Sequence, residues 1–350
     1  MKFKLLLADW DSPLFRAAKG VQQDYVEVKH IKSGNVKEFE NKTKFYGHWK
    51  KKAGGWLAAQ NEEREAAGKP LMSPDDFEIT ECARLHPEIH NHLEEAMNSF
   101  DFSVGRLKKS VDAEEYKLVI GGEGNFRYEA AKQAPYKGGR TDKPLIFSDL
   151  KEAVIKKYRS KIVVVNGREA DDYCSALGYK NYRNFCKTGI WDMCLGFIDK
   201  DLKMIISPSI NYDDDKPEVV VPTAFDAAKY YALQLLMGDS TDNIPGLSGI
   251  SDELGEKYGI KSSRGVGSAT ANGLLESCEE IKDLFDRVVE AYKSHYGEEE
   301  HDFTLHTGEV ERWTWQNYLQ DNANLLWMHR KASCKYDIFK DTLTPLGVDY

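Results

Sequence analysis

Two acidic clusters among the 350 residues are the groups best suited to do chemistry. Arg168-Glu169-Ala170-Asp171-Asp172 comes shortly after the apolar run Ile162-Val163-Val164-Val165, and Asp199-Lys200-Asp201 directly follows Leu195-Gly196-Phe197-Ile198. Asp9 closes a third apolar run, Leu5-Leu6-Leu7-Ala8, and Asp239 and Asp242 lie in the segment running from Gly238 to Ile244-Pro245-Gly246. Carboxylates are strongly hydrated, so placing several where buried strands end costs desolvation unless a positive charge neutralises them. Clusters of oxygen donors suit hard divalent cations such as Mg²⁺ or Mn²⁺. Without cations the gathered acids would push up one another's pKa values. Two Mg²⁺ ions roughly 4 Å apart would remove that cost and provide a catalyst of phosphodiester hydrolysis. Acids that merely cap helices and pair with lysine explain any one cluster well, but four clusters poorly.

The elements that must position these acids follow from the apolar pattern. Residues 4–8 read as a buried first strand, ended by Asp9-Trp10-Asp11-Ser12-Pro13, where Ser12 or Asp11 can cap a following helix. Further strands are expected at 116–120, 161–165 and 194–198, with helices at 144–158, 169–177 and 222–237. Strand, acid, then helix is the pattern of a doubly wound α/β sheet at its carboxyl edge, where such folds place their ligands. Residues 25–31 alternate apolar and polar, turn at Ser33-Gly34-Asn35 and return over 36–39, a hairpin outside the parallel core. A helix is expected to open at His86-Pro87-Glu88 and run to Phe100, and residues 278–350 are expected to be largely helical.

The totals allow a substantial core plus a second domain or large insertions. Hydrophobic content of 41% with 30% charged residues fits a soluble globular protein. The net charge of −9 argues against a uniformly basic surface while leaving room for local basic patches. Six scattered cysteines without a C-x-x-C pair read as reduced thiols in a cytosol. There is no secretory signal at the N-terminus and no apolar run of membrane-spanning length. His86, His90 and His92 lack the partners of a zinc site and read as a solvated helix face. Asp213-Asp214-Asp215 follows no apolar strand and reads as solvated.

Two stretches interleave bases with aromatics. Residues 42–52 combine Lys42, Lys44, Lys50, Lys51 and Lys52 with Phe45, Tyr46 and Trp49. Composition leaves open whether this is a nucleic-acid contact or an amphipathic helix with core aromatics. In residues 126–143, Arg127, Lys132, Lys137, Arg140 and Lys143 outnumber Glu129 and Asp142, with Tyr128 and Tyr136 among them. Pro135 and Gly138-Gly139 make it a jointed segment, either an ordinary charged connector or a mobile basic clamp over a polyanion. Further on, Gly265-Val266-Gly267-Ser268-Ala269-Thr270-Ala271 precedes a helix, a turn whose free amides could seat a phosphate.

Taken together these residues resemble the 5′-nuclease superfamily, which includes flap endonucleases and the 5′→3′ exonuclease domain of bacterial DNA polymerase I, and most of all the free-standing 5′→3′ exonucleases of bacteriophages. The matching stretches are Asp9; Phe126-Arg127 with Tyr136-Lys137-Gly138-Gly139-Arg140; Glu169-Ala170-Asp171-Asp172; Asp199-Lys200-Asp201-Leu202; Gly238-Asp239 with Asp242-Asn243-Ile244-Pro245-Gly246; and Gly265-Val266-Gly267 with Thr270-Ala271. The resemblance implies a PIN-like, mainly parallel sheet flanked by helices over residues 1–240, with an insertion at about 20–110 and a helical arch at about 126–143. A helix-three-turn-helix subdomain over 241–300 and a helical extension over 301–350 would follow.

It further implies two Mg²⁺ (or Mn²⁺) ions, one on Asp9, Glu169 and Asp171 and the other on Asp199, Asp201 and Asp242, with Asp172 and Asp239 assisting. Lys137, Arg140 and Arg127 would steer the scissile phosphate at the base of the arch. Tyr136, Lys132, Gly265, Gly267, Ser268 and Thr270 would contact DNA, with K⁺ at the helix-three-turn-helix. The implied partners are DNA with 5′ ends, nicks or flaps, and RNA–DNA hybrids, met by a monomer in the cytoplasm (the bacterial host's, for a phage protein). The family usually carries an aspartate just after its second strand. Gly121-Gly122 stand there, and Glu123 is read either as a substitute or as a surface residue. Ser251 to Arg264 lengthen the path to the glycine turn, and Ala269 stands where the family has lysine.

Two rivals remain on the page. Asp9-Trp10-Asp11-Ser12 resembles the nucleophile motif of haloacid-dehalogenase-type phosphatases, but that reading leaves the clusters at Glu169, Asp199 and Gly265 without a role. A non-catalytic DNA-junction binder is motivated by Gly121.

Overall fold

The computed structural model describes residues 1–48, 54–140, 142–198, 200–261, 265–330 and 335–350. The described residues form ten strands: β1 (Phe3–Asp9), β2 (Gln22–His30), β3 (Val36–Phe39), β4 (Phe77–Leu85), β5 (Ala113–Gly121), β6 (Ile162–Val165), β7 (Met193–Phe197), β8 (Ser209–Asn211), β9 (His301–Thr304) and β10 (Val310–Trp313). They are distributed over two compact units. One comprises Met1–Ser12, Ser103–Asp142 and Tyr158–Tyr350, the other Pro13–Phe102 and Lys143–Lys157.

The larger unit is built on a five-stranded sheet in the order β6-β5-β1-β7-β8, and every neighbouring pair is parallel. Numbered within the sheet, that order is 3-2-1-4-5, the doubly wound arrangement whose direction reverses between β1 and β7. The central strands carry apolar runs, Leu5–Ala8 in β1, Leu118–Ile120 in β5 and the whole of β7, because both of their faces are covered there. All five residues of β7 are buried, as are Leu6, Leu7 and Ala8 of β1. Leu7, Val119, Val165 and Leu195 share one core with Ala170 and Cys174 of the helix Ala170–Thr188 and with Tyr231 and Leu235 of the helix Ala224–Met237. The carboxyl ends of β1, β5 and β7 therefore open at one edge, and the reversal point lies beside Asp9. The mainly parallel α/β sheet flanked by helices expected from the sequence is the fold observed.

The smaller unit holds the antiparallel sheet β3-β2-β4. The expected hairpin is β2 with β3. Its third strand, β4, was not expected from the sequence, although Phe77-Glu78-Ile79-Thr80 alternates and Ser73-Pro74-Asp75-Asp76 turns the chain just before it. Phe45 is fully buried, ring to ring with Phe39, Trp56 and Phe77. At that position the core reading of residues 42–52 holds, whereas Trp49, Lys50, Lys51 and Lys52 lie outside the described residues.

Two further expectations are corrected. The helix expected to end at Phe100 is His92–Ser110, since Phe100, Val104 and Leu107 keep the helical spacing of buried residues. Residues 278–350 are not simply helical: β9 and β10 form an antiparallel hairpin between the helices Ile281–Tyr296 and Trp315–Leu326. Gly308, at φ 92°, makes its turn. The short strand β8 extends the parallel sheet beyond β7. Among the described residues no helix is long and apolar enough to cross a membrane.

Candidate active site

The sheet edge collects acids from three separate segments. Asp9 ends β1, and the backbone of the next residue stays tied to the sheet, Trp10 N–H donating to the Val119 carbonyl at 2.8 Å. Glu169 is the N-cap of the helix Ala170–Thr188, with Asp171 and Asp172 in its first turn, where the helix dipole favours negative charge. Asp239 and Asp242 sit on a loop closed by reciprocal backbone hydrogen bonds between Asp239 and Ile244 at 2.9 and 2.8 Å. That loop needs its flanking glycines. Gly238 and Gly246 have φ values of 68° and 67°, and a Cβ on Gly238 would lie 2.1 Å from the Ile244 carbonyl oxygen.

Glu169 and Asp242 face each other across Tyr136. Its hydroxyl lies 2.8 Å from Glu169 Oε2 and 2.7 Å from Asp242 Oδ2, so one proton is shared between two carboxylates. Burial, and then the charge of Glu169, hold that phenol far above its usual range. Lys137 Nζ donates to Glu169 Oε1 and stands 3.7 Å from Asp242, and Arg140 donates to Asp242 Oδ1 at 2.5 Å. Burial works against both cations, but Glu169 and Asp242 more than offset it, and both pKa values rise. The turn carrying these cations is locked to the acidic loop. Lys137 N–H donates to the Asp242 carbonyl at 2.8 Å, and Asn243 Nδ2 donates to the Pro135 carbonyl at 2.9 Å. Among the described residues Lys137 and Asn243 are the two non-glycine residues with positive φ, at 56° and 58°, and they lie on the two sides of this lock. Local strain of that kind persists only where the surrounding contacts fix it.

A second group surrounds Asp171. Burial and then the carboxylates of Glu169, Asp172 and Asp9 push the Asp171 carboxyl well above its ordinary range, although Arg127 opposes them. Beneath it lies the buried Cys174, whose thiol is pushed up by burial and by the charges of Asp9, Asp171 and Asp11. Asp11 is a residue the sequence reading used only as a helix cap. Its backbone N–H donates to Asp9 Oδ1 at 3.2 Å, and its Oδ1 accepts the Gly121 N–H at 2.8 Å. The Asp-x-Asp spacing was the available signal.

Arg127 and Asp172 depart from their expected roles. The Arg127 guanidinium is wholly buried, bidentate to Asp172 at 2.6 and 3.0 Å, and it donates to the carbonyls of Leu325 at 2.8 Å and Trp327 at 3.1 Å. Burial opposes its charge, but Asp172 raises its pKa well beyond the normal value. Asp172 also accepts the His329 N–H at 3.2 Å, and Arg127 holds its carboxyl low against burial. A guanidinium with no solvent exposure cannot steer a phosphate, and a carboxylate occupied from both sides is not placed to assist an ion. The pair is a strut joining residues 127, 172 and 325–329. Tyr136, expected at DNA, is also buried, at 4% exposure.

The other expected residues are placed as follows. Asp201, in the short turn Lys200–Met204 after β7, accepts from Gln234 at 2.8 Å, and Lys200 pairs with Asp239 at 3.1 Å. Asp199 lies outside the described residues. Glu123 is exposed beyond β5, where its N–H donates to Asn166 Oδ1, so it is a surface residue and not a member of the cluster. Lys132 pairs with Glu311 of β10. Gly267, Ser268 and Thr270 begin the helix Ser268–Leu275, with Gly265 just before it at φ 102°, and the helix Asp252–Tyr258 precedes them; Arg264 lies outside the described residues.

The donor set is all oxygen, which suits a hard divalent cation, and Asp171 stands among the carboxylates of Glu169, Asp172 and Asp9, which add to burial in raising its carboxyl. Lys137 and Arg140 neutralise Glu169 and Asp242. Among the described residues no three acid, histidine or cysteine side chains are gathered closely enough to hold one ion. The chemistry thus fits a metal; Asp199, one of the ligands expected from the sequence, lies outside the described residues.

No family model matches the chain. It is similar to DNA polymerase I of Bacillus caldotenax, 30% identical over 227 residues that cover 60% of this chain and 24% of that protein. DNA polymerase I of Rhizobium leguminosarum is 30% identical over 166 residues, 44% of this chain and 14% of the relative. A 5′-3′ exonuclease of Buchnera aphidicola subsp. Acyrthosiphon pisum is 28% identical over 171 residues, 45% of this chain and 54% of the relative. The chain therefore spans about a quarter or less of these polymerases and about half of the exonuclease.

Proposed function

We propose, from the premise that this chain belongs to the 5′-nuclease superfamily, that it is a metal-dependent hydrolase of DNA phosphodiesters acting at 5′ ends, as a 5′→3′ exonuclease or flap endonuclease. The observation that carries this reading is the meeting of Glu169 and Asp242 under Lys137 and Arg140, beside Asp9 and Asp171 at the reversal point of the sheet. Such an edge binds ligands in doubly wound folds. Cations laid directly on carboxylates are also the groups able to exchange them for a phosphate.

Asp9, Glu169 and Asp171 would hold one divalent ion, Mg²⁺ or Mn²⁺. Asp201 and Asp242, with Asp199, would hold a second, assisted by Asp239. Bound there, the ions would supply Lewis-acid chemistry: an activated water and neutralisation of charge on the leaving oxygen. Lys137 and Arg140, released from Glu169 and Asp242, would orient the scissile phosphate. Arg127 and Asp172 would hold the helix that carries Glu169 and Asp171. Gly265, Gly267, Ser268 and Thr270 would grip the duplex through its backbone, with K⁺ at that turn, and such contacts carry no base information. The products would be 5′-phosphate and 3′-hydroxyl ends. The substrates would be 5′ ends, nicks and flaps, RNA–DNA hybrids included, met by a monomer in the cytoplasm during phage replication or recombination.

Incubating the protein with 5′-labelled flap, nicked and blunt duplexes, with Mg²⁺ or with EDTA, tests this reading. Cleavage from the 5′ end that depends on the metal is expected. A second reading, a non-catalytic junction binder, is favoured by Gly121, which stands where the family usually carries an aspartate. DNA bound but left intact at excess protein with Mg²⁺ would select it.

A further inference from the structure

A cleft of about 1330 Å³ lies behind the acidic centre. Its walls include Phe126, Asn166, Arg168, Asn324, His329 and Lys335. Two of these residues precede members of the centre in sequence. Arg127 pairs with Asp172 beside the centre and Glu169 belongs to it, whereas Phe126 and Arg168 line the cleft, so both spaces share the same two backbone segments. The His329 ring stacks on Phe126 at 4.5 Å and 17°, offering a flat aromatic wall. Among the described residues, Arg168 Nη1 and His329 Nδ1 are buried without a hydrogen-bond partner. A buried polar atom left unpaired is destabilising, and two of them at one wall call for an explanation. Among the described residues the carboxamide of Asn324 uses only its oxygen, accepting from Gln320 at 2.7 Å, so its amino group is left to donate.

Charge narrows the ligand. Arg168 and Lys335 line the cleft together with Glu129 and Asp337, and Asp337 is already paired with Lys340 at 3.1 Å. That balance suits one phosphate and disfavours a polyphosphate. An aromatic wall combined with carboxamide donors is the usual means of holding a nucleobase by its face and edge.

We propose that this cleft binds one nucleoside 5′-monophosphate unit, its phosphate on Arg168 and Lys335 and its base against Phe126 and His329 near Asn324. The unit has two possible sources, a free mononucleotide or the unpaired 5′-terminal nucleotide of a DNA strand. Only the second rests on the nuclease reading.

Titration with dAMP, deoxyadenosine and inorganic phosphate in EDTA, followed by calorimetry, tests the proposal without a metal. The wild-type chain should bind dAMP more tightly than either fragment, and Arg168→Ala and Lys335→Ala should each weaken it at least tenfold. Lys335 is exposed, so its variant removes charge without disturbing the core. Affinity in EDTA for a duplex with a 5′-phosphorylated unpaired tail, compared with a blunt duplex, then separates the sources. Loss confined to the tailed duplex assigns the cleft to the strand, and unchanged DNA affinity with lost dAMP binding assigns it to the free nucleotide. The proposal is overturned if dAMP does not bind, if phosphate alone binds as tightly, or if both variants bind dAMP like the wild type. Absence of Mg²⁺-dependent cleavage alongside intact dAMP binding would sink the nuclease reading alone.

Discussion

Replacing Asp172 by Asn is the most informative single perturbation, because the sequence and the structure assign this residue different work. The substitution keeps size and a carbonyl oxygen but removes the charge opposite a fully buried guanidinium. Arg127 would keep the Leu325 and Trp327 carbonyls and the Glu169 carboxylate at 3.4 Å, and lose its two short contacts to charge at 2.6 and 3.0 Å. Breaking a buried pair by removing one partner costs about 3–5 kcal/mol, since the remaining charge stays desolvated. The residual Glu169 contact should place the loss near the lower end. Urea unfolding followed by tryptophan fluorescence is a suitable assay, because Trp327 packs in this region. The double variant Arg127→Met/Asp172→Leu should recover most of the loss, as apolar replacement of both partners leaves no orphaned charge. The pH dependence follows from the sign of the shift. Because the folded-state carboxyl of Asp172 is held low, its stabilisation is complete above the ordinary aspartate value of about 4 and is lost as pH falls through the depressed value. The gap between wild type and Asp172→Asn should therefore close in acid. A variant with wild-type stability that nevertheless cleaves no DNA would refute the strut and return Asp172 to the metal centre.

Three further outcomes are expected. Asp201→Asn should abolish cleavage while duplex binding by gel shift stays unchanged, and wild-type rates in this variant would remove Asp201 from the second metal site. Lys137→Ala should lower the single-turnover cleavage rate more than tenfold with less than a threefold change in duplex Kd, and a loss in Kd alone would contradict a role at the scissile phosphate. Gly238→Ala forces a Cβ to 2.1 Å from a carbonyl oxygen at positive φ, so thermal denaturation should show destabilisation of roughly 1–3 kcal/mol or more. Cleavage should fall with it, because the loop carries both Asp239 and Asp242, and an unaffected melting curve would count against the tight Gly238–Gly246 approach.

Much of the framework was legible in the residues themselves. Strand β1, for instance, is a continuous apolar run ending in Asp9, and both facts are local: hydrophobic period and chain order place an acid at a strand's carboxyl end whatever the rest of the chain does. The same holds for Glu169 and Asp171 at the start of a helix, and for the expectation of a parallel α/β sheet. The β9–β10 hairpin was missed because its four-residue strands carry too little alternation to outweigh the helical pattern on either side.

The chain's own sequence thus determined which acids stand at the sheet edge and which bases precede them in the segment 126–143. Which base meets which acid was decided only by the tertiary structure. Arg127 reads like Lys137 and Arg140 in the sequence, yet it is buried against Asp172 and the carbonyls of Leu325 and Trp327, about two hundred residues away. A charge's role depends on whether packing removes its water, and packing is set by segments far apart in the chain.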